Sequence, residues 1–435
     1  MTYSAREQRG WYFYDWANSA FYTTVVTLFL GPYLTALAKA GADAQGRIHP
    51  LGISVDARAY WGYLIAMSVA LQVLVLPVIG ALADYTGRKR MLLAAFAYPG
   101  AIATIAMFNL GGQDYLAGGA LFLLANAAFG ASIVVYNSFL PDISSAADRD
   151  VISSKGWGLG YFGGGILLSL NLLLYRSAPA LHLDEAMAVR ISLASAGVWW
   201  AVFTIIPLCA LRDRKSRLTR APGQRLLSAG FHQLFDTLRN LPRFPQTLKF
   251  LIAYLLYNDA IQTVIALASQ FGNDELKIPL STLTLVILMV QFVAFFGAIA
   301  FGRIAKWTGA RNAVLLSLAI WTGVILCMYF SVKTTSGFFV MGAVVGIVLG
   351  GSQALSRSLF SLMIPQGREA EYFSLYEIGD KGTSWFCPLL FGLALQYTGS
   401  YRLAILSLLI FFAAGMALLS RVDVRAGARD AGNAG

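Results

Sequence analysis

The sequence predicts an all-α polytopic membrane protein, with twelve transmembrane helices arranged as two six-helix halves that repeat one another. Three observations carry this. The 435-residue chain is 57% hydrophobic and only 13% charged, against about 25% charged in soluble domains. Its apolar residues fall into runs of about 20, the length that spans a bilayer as a helix. A short charged pattern also follows two of those runs, half a chain apart.

The runs lie at approximately 11–38, 59–83, 90–110, 115–140, 155–176, 189–211, 248–271, 279–301, 311–331, 336–362, 372–397 and 400–420. The segment before the first is short and polar, and no small-residue cleavage site follows that span, so it reads as a retained helix. Most of the 33 Lys and Arg residues fall on one side of this topology. That asymmetry places both termini in the cytoplasm of a multi-pass protein of the cell's inner or plasma membrane. The net charge of +11 is thereby assigned to the bilayer surface; no nucleic-acid partner is expected.

The division is 1–211, a first six-helix bundle; 212–247, a basic linker; and 248–435, a second bundle with a short cytoplasmic tail. In the linker, Leu227, Phe231, Leu234, Phe235 and Leu238 share one helical face. That spacing predicts an amphipathic helix on the cytoplasmic leaflet; a solvated linker helix is the alternative.

The internal repeat has several parts. Gly80, Asp84, Tyr85, Thr86, Gly87, Arg88 and Lys89 close the second span; Gly302, Lys306, Trp307, Thr308, Gly309 and Arg311 close the eighth, 222 positions later. Tyr14 to Ala20 in the first span resembles Tyr254 to Ala260 in the seventh, and Pro141 matches Pro365. A duplicated hydrophobic half-chain is how parallel-repeat transporters are built. Glycines at every fourth position, Gly156, Gly160 and Gly164, then Gly342, Gly346 and Gly350, predict close helix approach.

The loop pattern with Gly80, Asp84, Gly87, Arg88 and Lys89 resembles the signature of the major facilitator superfamily; Tyr85 departs from the basic residue expected there. Phe13–Tyr14–Asp15–Trp16–Ala17–Asn18–Ser19–Ala20, with Glu371 to Tyr376 and Pro388 to Gly392, resembles the vacuole-effluxer branch of that superfamily, the autophagy-related amino-acid effluxers and their bacterial relatives. The resemblance implies a secondary transporter that exports small solutes, amino acids foremost, by alternating access of two rocking halves.

Candidate site residues follow from depth, because an ionisable group near the bilayer centre costs roughly 2.5–3.5 kcal/mol on insertion scales. Asp259 and Lys381 each lie ten residues inside their spans. They suggest an ion pair or a shared site for a zwitterion, and Asp259 could also carry a proton. Glu377, one turn before Lys381, is an alternative local partner. Asn18, Tyr22, Asn126, Asn258, Gln262 and Gln291 are suited to bond a polar solute. Asp15, Asn18, Ser19 and Tyr22 share a face of the first span that should look into the cavity. Asp84 can pair with Arg88 or with a helix N-terminus across the seam between halves. Asp84, Gly87, Arg88 and the shallower Asp15 are therefore the candidate gate.

Other chemistry finds little support. No GxxxxGK[ST] loop occurs, so a gradient, with the proton as coupling ion, is the expected driving force. Cys209, Cys327 and Cys387 are isolated, and His49, His182 and His232 fall in separate loops, so no metal, cofactor or enzymatic centre is expected. The chain reads as a monomer carrying an amino acid or short peptide. An exporter of drugs or lysolipids on the same fold is the alternative.

Overall fold

The structure is a computed structural model that describes residues 3–216, 237, 239–381 and 386–433. The expected amphipathic stretch of the linker, and the side chain of Lys381, lie outside the described residues.

Eleven helices among the described residues are long and apolar enough to cross a membrane. The first half holds α1 (Ala5–Ala40), α2 (Tyr60–Thr86), α3 (Lys89–Asn109), α4 (Tyr115–Ile143), α5 (Arg149–Ser177) and α6 (Glu185–Ala210). The second holds α7 (Pro245–Ala268), α8 (Ser281–Thr308), α9 (Ala310–Phe330), α10 (Thr335–Leu362) and α12 (Tyr401–Ser420). Between α10 and α12, α11 is described over Glu369–Lys381 and Phe386–Thr398. The result is the twelve-helix fold expected, with one buried apolar core in each half.

Two local departures matter. In α1 the residues Phe21–Phe29 form a π-helical stretch, where the Leu30 amide reaches back to the Val25 carbonyl. Such widened turns interrupt ordinary α-helical bonding and recur at functional sites. The loop after α1 carries a small antiparallel hairpin pairing Arg47 with Asp56 and Ile48 with Val55.

Both glycine stripes do what their spacing suggests. A methyl group at Gly156, Gly160 or Gly164 of α5 would strike Asp15, Ser19 or Thr23 of α1. One at Gly342 or Gly346 would strike Val286 or Val293 of α8. The face of α1 expected to look into the cavity is closed over in this arrangement: Asp15 and Ser19 pack on the α5 glycines, and Asp15 and Asn18 are buried. On that face Ser19 is half-buried and Tyr22 stays accessible, at 46%. Small residues on a neighbour let a polar helix face bury against backbone.

Candidate functional site: the seam between the halves

The seam on the side of the linker and termini is closed by two groups of polar contacts, and a third polar group lies within the second half. The first is the end of α2. Gly80 has no side chain, and a methyl group there would lie 2.6 Å from the Ala370 carbonyl oxygen. This close approach sets Asp84 at the start of α11, where Oδ1 accepts from the Ala370 amide (3.0 Å) and Oδ2 from the Glu371 amide (2.8 Å). A carboxylate at a helix N-terminus satisfies otherwise unpaired amides and meets the positive end of the helix dipole. Of the two partners considered for Asp84, the helix terminus is the one observed.

Arg88 is exposed, its backbone amide donating to Thr86 Oγ1. The basic residue that turns inward is its neighbour Lys89, buried and donating to Ser138 O and Asp142 Oδ2, both at 2.9 Å. Its ammonium is also 3.9 Å from Glu369 of α11. Gly87 adopts φ +62° to end α2, a conformation that favours glycine. The start of the linker runs over it: Arg214 O and Ser216 N lie within 2.7 Å of where a Gly87 side chain would begin. Ser216 donates to Asp84 O, Arg90 N donates to Asp213, and Arg214 pairs with Glu7.

The second group surrounds Arg357 of α10, which none of the spacings above singles out. It is 2% exposed and forms an ion pair of 3.1 Å with Asp15 of α1. Tyr136 donates to the same Asp15 oxygen at 2.7 Å. Arg357 donates further to Asn137 of α4 and Ser153 of α5, while the Asn137 amide donates back across the seam to Glu377 of α11 at 2.9 Å. Two neighbouring links are Ser153 to Ala354 O and Arg149 to Ser361 O.

The third group lies in the second half. Asn258 donates to Asp380 (2.7 Å) and accepts from Gln353 (3.0 Å); Tyr254 also donates to Asp380. Asp259, one residue on, faces elsewhere: it is 1% exposed, and Oδ2 accepts from the Cys387 amide of α11. Its Oδ1 is buried without a hydrogen bond among the described residues.

The remaining candidates are separated. Asn126 donates to Ser68 of α2, a helix–helix bond. Among the described residues, Asn18 keeps a buried amide nitrogen without a hydrogen bond, and Gln291 a buried oxygen; Gln291 packs against Gly165 of α5. Gln262 is half-buried. The structure thus brings Asp15 and Glu377 into one cross-half network through Asn137 and Arg357, and places Asn258 and Asp259 on different partners. The signal the sequence offered for Arg357 was its charge inside the apolar run 336–362.

Two pseudo-symmetric six-helix halves meeting at a polar seam define a transporter of the major facilitator superfamily, an integral multi-pass membrane protein. Among solved structures, the chain superposes on the Escherichia coli fucose:proton symporter FucP with a TM-score of 0.70 at 10% identity, covering 96% of this chain and 98% of that one. A bacterial homologue of the iron transporter ferroportin in an outward-facing state gives 0.69 at 12% identity, covering 96% and 100%. These likenesses establish the fold alone. In sequence, the chain is 29% identical over 422 residues to the uncharacterised MFS-type transporter YxiO of Bacillus subtilis, covering 96% and 95% of the two chains. It is 26% identical over 496 residues to autophagy-related protein 22 of Saccharomyces cerevisiae, covering 97% and 92%. Residues 3–432 match the family described as vacuole effluxer Atg22 like, and the chain belongs to that family.

Proposed function

We propose that this transporter moves a small zwitterion, an amino acid or short peptide, out of the cytoplasm by proton-coupled alternating access. The observation that supports it best is the cross-half network of Asp15, Arg357, Asn137 and Glu377. Opposite charges supplied by the two halves close one face and must part when that face opens. The resemblance to vacuolar effluxers favours amino acids as cargo. Asp259 is the coupling residue in this reading: a buried carboxylate with one oxygen unsatisfied among the described residues is a place where a proton can be taken up and released.

The test is uptake of pooled labelled amino acids into proteoliposomes, with and without a pH gradient, for wild type and Asp259→Asn. Gradient-driven uptake that the variant loses supports both parts of the reading. Gradient-independent uptake keeps the cargo and removes the proton. No uptake by folded protein sends the cargo to amphiphiles.

A further inference from the structure

Arg357 belongs to the second half, yet every acceptor of its five hydrogen bonds lies in the first. They are Asp15 Oδ2 (accepting twice), Asn137 Oδ1, Ser153 Oγ and Ser153 O. A guanidinium has five N–H donors, so none is left over. The rings stacked about it are also first-half residues: Trp11, Trp157 and Tyr136 lie 4.7, 5.3 and 5.6 Å from its central carbon. The first half therefore holds a complete cation socket, with one carboxylate, neutral oxygens and three aromatic faces. Arg357 is its occupant while this side is closed.

Opening this side pulls α10 away from α1, α4 and α5, and the socket loses its cation. Asp15 and its three rings then face the opening without their counter-charge, a site matched to another cation. The open state therefore offers the vacated place to a cation of similar chemistry.

We propose that the socket of Asp15, Trp11, Tyr136 and Trp157 is the ammonium subsite for the cargo. The cargo's nitrogen takes the place of Arg357 when the linker side is open. This rests on the zwitterion reading above. Aromatic rings and a carboxylate together select a cationic nitrogen, and Tyr136 holds the Asp15 oxygen toward it. Arg357, withdrawn from all its acceptors, turns its donor fork to the same opening, where a carboxylate is its best match. One zwitterion replaces both members of the broken pair, so selectivity falls on the amine rather than on the cargo's side chain.

The test compares leucine with its two halves: isopentylamine, which keeps the amine, and 4-methylpentanoate, which keeps the carboxylate. Each competes against labelled leucine uptake in proteoliposomes, and each is titrated against tryptophan fluorescence of the detergent-purified full chain. The amine is expected to compete at least tenfold better than the acid and to quench fluorescence. Trp157→Phe, which keeps a ring and the fold, should raise half-saturating leucine several-fold at unchanged maximal rate and weaken the quench. Asp15→Asn should abolish the preference for the amine. Equal competition by the acid, or an unchanged half-saturation and quench in Trp157→Phe, overturns the socket. If folded wild type takes up no leucine, the amino-acid reading falls. Fluorescence then decides the socket separately: amine quenching that Trp157→Phe weakens keeps it for another amine, and no quenching removes it.

Discussion

At the end of α2, Gly80 brings its helix against the backbone of Ala370 and Glu371, and four residues on, Asp84 accepts both their amides. At the end of α8, Gly302 brings its helix against Ser154 of α5, and four residues on, Lys306 is exposed. The two seams share their approach and differ in their chemistry. A carboxylate is drawn to the positive N-terminus of a helix and an ammonium is not, so only the first copy can cap. The α5 terminus already carries Asp150, which accepts from Ser358 of α10. Duplication kept the steric device at both seams and the polar cap at one. The closure is therefore asymmetric, although the architecture repeats.

The largest effect expected lies between these seams. Arg357→Ala leaves Asp15 buried and unpaired, which should cost about 3–5 kcal/mol, seen as a large drop in melting temperature in detergent. Combining it with Asp15→Asn should recover much of the loss; a double variant as unstable as the single one would show that the charge is not what matters. Next come the glycines. At Gly80 a methyl group meets three backbone atoms within 2.9 Å; at Gly302 it meets Oγ and Cβ of one serine, 2.6 and 2.7 Å away, of which only Oγ can rotate aside. Gly80→Ala should destabilise by about 1–3 kcal/mol and Gly302→Ala by less, and equal melting shifts would break the contrast. Third, Asp84→Ala should cost about 0.5–2 kcal/mol as a lost cap and slow transport, while Lys306→Ala leaves both unchanged. An equal transport defect in the two would make the seams functionally alike.

The smallest effect belongs to the hairpin after α1. Arg58 holds the Asp56 carboxyl down, to about 2. A depressed carboxyl contributes stability above its unfolded value and loses it only as the pH falls through about 2. Both partners are exposed, so Asp56→Asn should leave melting and flux at neutral pH unchanged. A measurable shift would mean the hairpin takes part in opening.

Much of this was legible in the sequence, and the gaps have physical causes. The Gly-x-x-x-Asp spacing places one small residue and one carboxylate a helical turn apart, so both the close approach and the cap of α11 could be anticipated. Depth located Asp259 but not its direction. Asn258 and Asp259 are adjacent, so about 100° of helical rotation separates them, and they reach Asp380 and the Cys387 amide respectively. The partners of Arg357 lie more than 200 residues away in sequence, beyond what local spacing can pair. The burial of Asp15 and Asn18 while this side is closed was not legible, because no one-helix pattern shows that the neighbouring helix offers glycines.

The short stretch from Arg212 to Ser216 has a consequence for how this polypeptide can be cut and rejoined. It is fastened to Glu7, Arg90 and Asp84, so in mechanical terms it is a cover of the first half rather than slack between two. A protease site or fused reporter placed after Ser216 should leave that cover seated. The same insertion before Arg212 would lift it from the α2–α3 turn and uncouple the chain's midpoint from the face that opens.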